Sequence, residues 1–255
     1  MRLKIIACKV LTRELSALCA ESNNYIDFTW LRQGYHNDPD LLRSILQEQI
    51  DKIDEGDDPF SCSCEIGDFD AIVLGYGLCS NGVCKVHSKK YPIVIPRAHD
   101  CITLFLGSKE KYMQLFNEQD GGIYWYTPGW IENSIMPSQK RYEINRSIYA
   151  DYYGEENADY LMEMEQGWLK KYRWAYYVSI DGIKSPDYKG FTKECADYHN
   201  WGFKDIKGDS SLLKALVDGD WDDDRFIVIP PNKCAVQSYD DKILCEADPK
   251  DVDLK

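Results

Sequence analysis

Cys8, Cys79 and Cys101 each fall just past a run of apolar, often β-branched residues: Ile5-Ile6-Ala7, Ile72-Val73-Leu74 and Ile93-Val94-Ile95. Cys234 follows Ile227-Val228-Ile229 in the same way. If these runs are parallel strands, the thiols gather at the carboxyl edge of one sheet, where open α/β folds bind their ligands. A thiolate there binds a soft metal or attacks an electrophile. Helices expected after Cys8 and Cys101 would aim their N-termini at that edge, which predicts lowered thiol pKa values. The competing reading is packing, because free cysteine is among the most buried residue types.

The neighbours of two cysteines favour chemistry. Cys101 ends Pro96-Arg97-Ala98-His99-Asp100-Cys101, a cation, an imidazole, a carboxylate and a thiol within a few positions of a strand-to-helix turn. His99 is the candidate proton donor, Arg97 an anion clamp and Asp100 an orienting carboxylate. The alternative is an Asp100 helix cap beside a surface Arg97. Cys79 sits in Leu74-Gly75-Tyr76-Gly77-Leu78-Cys79-Ser80-Asn81-Gly82, whose glycines permit tight turns and close backbone approach to a ligand. Gly75, Tyr76, Gly77, Asn81 and Gly82 are the candidate cofactor contacts. His36, in Gln33-Gly34-Tyr35-His36, is a ligand, an acid/base or a loop residue capping the helix near Pro39. Tyr124-Trp125-Tyr126-Thr127-Pro128-Gly129-Trp130 reads as a pocket wall or as core ending in a turn.

The remaining thiols carry less. Cys62-Ser63-Cys64 lacks the two-residue gap of zinc knuckles. Cys19 lies on the apolar face of its helix, Cys84 is a candidate extra ligand or resolving thiol, and Cys195 and Cys245 are uninformative. His87 and His199 read as surface residues.

The elements that must position these groups alternate strand and helix. Leu3 to Ala7 is followed by Leu11, Leu15, Leu18 and Cys19 at helical steps, and Tyr25 to Leu31 by the stripe Leu41, Leu42, Ile45, Leu46, Ile50 and Ile53. The runs at 70–75 and 92–96 have the continuous apolar character of strands buried on both faces of a parallel sheet. Residues 101–117 read as one helix, 123–126 and 174–180 as strands, and Leu212, Leu213 and Leu216 as a short helix. The fold class is α/β, a mainly parallel Rossmann-like sheet with flanking helices. Residues 1–130 form a lobe carrying the cysteine motifs, and residues 131–255 form a helix-rich lobe completing the same fold.

Forty-three acidic against 30 basic residues leave a formal charge of −13, which repels phosphate backbones and anionic bilayers. Neither nucleic acid nor membrane is an expected partner. The first nine residues lack the apolar stretch and cleavage site of a signal peptide, and ten scattered cysteines then suit a cytoplasmic protein with reduced thiols. A phosphate loop, His-Glu-x-x-His, the full dinucleotide fingerprint and a Gly-x-Ser-x-Gly elbow are all missing.

At the same residues the chain resembles the family DUF1638. The similarity lies in Ile6-Ala7-Cys8-Lys9-Val10-Leu11 with Glu14-Leu15, in Gln33 to His36, in Leu74 to Gly82, in Ile95 to Thr103 and in Tyr126 to Ile131. It extends over roughly residues 3–231. The resemblance implies anaerobic bacteria and archaea and an association with corrinoid-dependent methyl transfer. It makes Cys8, Cys79 and Cys101 the motif cysteines, with Cys62, Cys64, Cys84 and Cys195 as additions and Cys234 in place of a glycine-containing turn. The expectation is a metal-thiolate protein of one-carbon metabolism, holding a [4Fe-4S] cluster, or zinc with His99 or His36, through those three thiols. Its partners would be a small-molecule ligand and corrinoid or methyltransferase proteins. Two alternatives stand beside it: a metal-free module for a corrinoid or small methylated ligand, and a transferase with Cys79 or Cys101 as nucleophile and His99 as base.

Overall fold

The computed structural model describes residues 1–58 and 67–252. Cys62 and Cys64 lie outside the described residues. The larger sheet has the order β2-β1-β3-β4-β8. Its strands are β1 (Arg2–Cys8), β2 (Tyr25–Leu31), β3 (Ala71–Gly75), β4 (Ile93–Pro96) and β8 (Phe226–Ile229). The first four run parallel, and β8 lies antiparallel on β4, pairing Val94 with Val228. All residues of β3 and β4 are buried, as their continuous apolar runs require of strands covered on both faces. Helices α1 (Thr12–Cys19) and α2 (Pro39–Glu55) follow β1 and β2. Asp38 caps α2, accepting from the Leu41 N–H, ahead of Pro39 in the first turn.

The single helix expected over 101–117 is two, α3 (Cys101–Leu106) and α4 (Lys109–Glu118). The break falls at Gly107-Ser108, where the Ser108 hydroxyl caps α4 by accepting from the Lys111 N–H. A second sheet follows, β5 (Ile123–Tyr126), β6 (Trp174–Ser179) and β7 (Gly202–Lys207), all parallel. Between β5 and β6 come α5 (Pro128–Asn133), α6 (Gln139–Tyr153) and α7 (Glu155–Gln166), and α8 (Lys189–His199) precedes β7. The chain returns to the first sheet through α9 (Ser211–Asp218) and β8, and ends in an antiparallel hairpin of β9 (Cys234–Gln237) and β10 (Leu244–Ala247).

The two sheets interleave along the chain across residue 130. β5 lies before that boundary yet belongs to the second sheet, and β8 lies after it yet completes the first. The strand order also separates Cys234 from the motif thiols. Because β8 runs antiparallel, its carboxyl end points to the opposite edge, and Cys234 is fully buried in β9 opposite His87. His199 is not a surface residue either, since its ring stacks on Trp201 at 4.5 Å. No helix among the described residues is long and apolar enough to cross a membrane.

Candidate functional site

Residues beyond the carboxyl ends of the four parallel strands of the first sheet, and of β5 from the second, line a cavity of about 240 Å³. Cys8 and Val10 enter from the end of β1 and His36 from beyond β2. Tyr76, Cys79 and Ser80 follow β3; His99, Asp100 and Cys101 follow β4; and Trp130 follows β5. The three motif cysteines, both candidate histidines and Asp100 therefore meet, as their positions after strands predict. His99 is exposed and also borders a neighbouring surface hollow with Lys109 and Asp240, so it stands at the mouth.

The loop carrying Cys79 is built by close contact between chains. Leu78 donates from its N–H to the Ala98 carbonyl at 2.7 Å, and Cys79 to the His99 carbonyl at 3.1 Å, which binds the β3 loop to the β4 loop. A Cβ at Gly77 would lie 2.8 Å from the Asp100 carbonyl carbon, so only glycine lets the loops approach this far. Gly75 and Gly82 press likewise on Ala7 and Leu42. The expectation that these glycines open the loop to a cofactor is corrected: of Gly75, Tyr76, Gly77, Asn81 and Gly82, only Tyr76 lines the cavity. Asn81 faces away from that role, its carbonyl accepting from Arg43 Nη2 at 3.2 Å.

The left-handed backbone falls on other residues. Cys79, Ser80 and Asn81 adopt φ of 46°, 55° and 70° in succession. Non-glycine residues in this region cost on the order of 1–2 kcal/mol each, and such strain collects at ligand sites.

Arg97 does not enter the cavity and is not on the surface. Its side chain is buried, with Nε donating to the Asp223 and Phe226 carbonyls at 2.8 and 3.0 Å, Nη1 to those of Lys242 and Leu244, and Nη2 to the Asp223 carboxylate at 2.8 Å. All these partners lie toward β8 and β10, so the guanidinium is a cross-brace and not an anion clamp. Asp100 is the cap of α3, accepting from the Ile102 and Thr103 N–H groups at 3.0 and 3.3 Å and from the Tyr112 hydroxyl. Burial raises its pKa against those hydrogen bonds.

Burial raises the thiol pKa values, contrary to the helix-dipole expectation. Burial pushes Cys8 up to about 11, and burial with the Asp100 charge and Cys8 pushes Cys79 up to about 12. Cys101 is raised well above the ordinary range by burial, then by Cys79, Asp100 and Cys8. Desolvation wins because a three-residue turn separates Cys8 from α1, and α3 is only six residues long. The backbone N–H groups of Val10, Gly77 and Cys101 itself oppose that rise at Cys8, Cys79 and Cys101 in turn, without outweighing it. No lysine or arginine lines the cavity among the described residues.

Tyr76 is 3% exposed, and its hydroxyl has no hydrogen-bond partner. A buried hydroxyl left unpaired costs about 1–3 kcal/mol. The His36 imidazole is held below its ordinary pKa by burial, so it is neutral near pH 7. Trp130 reaches the cavity because α5 docks on the turn after β1, where a Cβ at Gly129 would lie 1.7 Å from the Val10 carbonyl oxygen. Arg13 of α1 clasps Glu132 of α5 beside it, Nε standing 2.9 Å from both carboxylate oxygens. Sequence reasoning missed Val10, Ser80 and Tyr112; the glycine in Pro128-Gly129-Trp130 was the available signal for the Val10 contact.

The donor set decides which metal group fits. Among the described residues no group of three or more His, Cys, Asp or Glu side chains is placed to hold one metal ion. A zinc site of three thiols and an imidazole is therefore not formed here. An iron-sulfur cluster binds each cysteine through a different iron atom and needs no convergence on one point. Three thiols around one cavity that no lysine or arginine lines among the described residues are the ligand type it takes.

A protein-family comparison matches residues 30–217 to a family described as "Protein of unknown function (DUF1638)". The matched range includes Cys79 and Cys101 and begins after Cys8. No curated protein and no solved structure matches the chain.

Proposed function

Given that the chain belongs to the DUF1638 family, we propose that its strand-end cavity is a metal-thiolate site in which Cys8, Cys79 and Cys101 hold a [4Fe-4S] cluster that binds a small ligand. The observation carrying this reading is the meeting of three thiols from three strand ends around one cavity that no lysine or arginine lines among the described residues. Cys8, Cys79 and Cys101 would give up their thiol protons on binding a soft cationic centre as thiolates. Held by three cysteine ligands, a cluster would supply one iron free to polarise a bound oxygen or nitrogen ligand.

The chain's own groups divide the remaining work. His99 at the mouth exchanges protons between solvent and ligand, neutral His36 offers a donor or acceptor within, and Trp130 covers the apolar side. Asp100 keeps the Cys101 turn in place through the α3 cap. A cavity of about 240 Å³ falls below the volumes that enclose drug-sized ligands, so a whole corrinoid does not enter it. The link to corrinoid-dependent methyl transfer is accordingly proposed as contact with a corrinoid or methyltransferase protein. The transferase reading is weaker, because a thiol with a pKa of about 12 is scarcely ionised near neutrality.

Anaerobic reconstitution with iron and sulfide tests the proposal. The expected result is about four iron atoms per chain, lost in Cys79→Ser and Cys101→Ser and retained in Cys195→Ser. A wild-type chain that takes up no iron, or equal loss in all three variants, overturns it. Binding of one zinc ion in place of iron would instead require the three thiols and an imidazole to move together.

A further inference from the structure

We propose that the Tyr76 hydroxyl is the hydrogen-bond donor to the sulfur-rich group held by Cys8, Cys79 and Cys101, meeting it on the inner wall of the cavity. The inference rests on the cluster reading above. Tyr76 opens the loop after β3, immediately beyond Gly75, whose register partner is Ala7 next to Cys8. The ring is therefore fixed between the two strand ends that deliver Cys8 and Cys79. It lines the cavity, and its hydroxyl is sealed from solvent with no partner. The same hydroxyl lies within electrostatic reach of all three motif thiols.

Buried hydroxyls are nearly always paired, so an orphan beside three thiols marks the place of a missing acceptor. Thr29, Thr103 and Tyr176 also carry buried unpaired hydroxyls, but none of them lines this cavity. As a donor, the phenol O–H pairs with an electron-rich acceptor. Cluster sulfide and thiolate sulfur both accept hydrogen bonds, and donors to sulfur raise a cluster's reduction potential by favouring the more negative reduced state. Tyr76 thus tunes the site from a buried position, where His99 is exposed.

Tyr76→Phe removes only the hydroxyl and leaves the ring's packing. Wild type and variant would be reconstituted with iron and sulfide, and compared by iron content, midpoint potential and thermal denaturation with and without iron. The expected result is equal iron, a more negative potential in the variant, and a loss of stability confined to the iron-loaded form. Loss of iron from a variant that keeps the wild-type fold by circular dichroism also supports the contact. Equal iron with an unchanged potential and unchanged stability overturns the role of Tyr76 while leaving the cluster reading intact. A wild type that binds no iron overturns both.

Discussion

Gly129 and Val10 touch backbone to backbone, and a single added carbon on the glycine would overlap the Val10 carbonyl oxygen at 1.7 Å. Val10 lines the cavity with Cys8, so helix α5 rests on a residue of the site itself. Position of the second sheet and position of the first thiol are one variable. Gly129→Ala must push α5 outward, with a stability loss of about 1–3 kcal/mol or more. Denaturant titration should show it, together with weakened iron retention; an alanine variant as stable as wild type would rule the contact out.

Arg97→Met should lower stability by about 3–5 kcal/mol, since the carbonyls of Asp223, Phe226, Lys242 and Leu244 lose their buried donor. Asp223 itself is largely exposed, so its ion pair is the lesser part. Below its melting temperature the variant should still take up iron to the wild-type level. A specific loss of iron or ligand from a folded Arg97→Met protein would return Arg97 to the site.

Glu14, 2% exposed on α1, has one carboxylate oxygen with no partner, and burial raises its pKa from 4.5 to about 7. A carboxyl with a folded pKa above its unfolded one holds more protons in the native state, so stability falls as pH rises through this window. Between pH 4.5 and 7 the loss approaches about 3 kcal/mol. Glu14→Gln should flatten that slope and be the more stable protein at pH 8. Parallel stability curves for the two proteins across the window would show that Glu14 is not the group responsible.

The sheet edge was legible because strands buried on both faces leave continuous runs such as Ile72-Val73-Leu74, and a thiol after each run needs no further information to be placed. Three things were not legible. α6 buries none of its residues, so it carries no apolar period to be read. The antiparallel sense of β8 depends on how the chain returns through α9, which a four-residue strand does not encode. The destination of Arg97 was hidden because its acceptors are backbone carbonyls of residues 223–244, and carbonyls have no sequence signature. Glycine misled in a related way, since Gly77 serves contact with another loop while the left-handed turn falls on Cys79, Ser80 and Asn81.

The sheet that presents the thiols is interrupted: β4 and its partner β8 are separated in the chain by the whole of the second sheet. During synthesis β4 therefore leaves the ribosome with one edge unpaired, and more than a hundred residues must follow before β8 can cover it. At ribosomal speeds of roughly 5–20 residues per second that delay is on the order of ten seconds. Throughout it Cys79 and Cys101 belong to a nascent half-sheet open to oxidants and to other chains' strands. Completion of the sheet that presents these thiols is thus ordered in time, after translation of β8 rather than alongside β1.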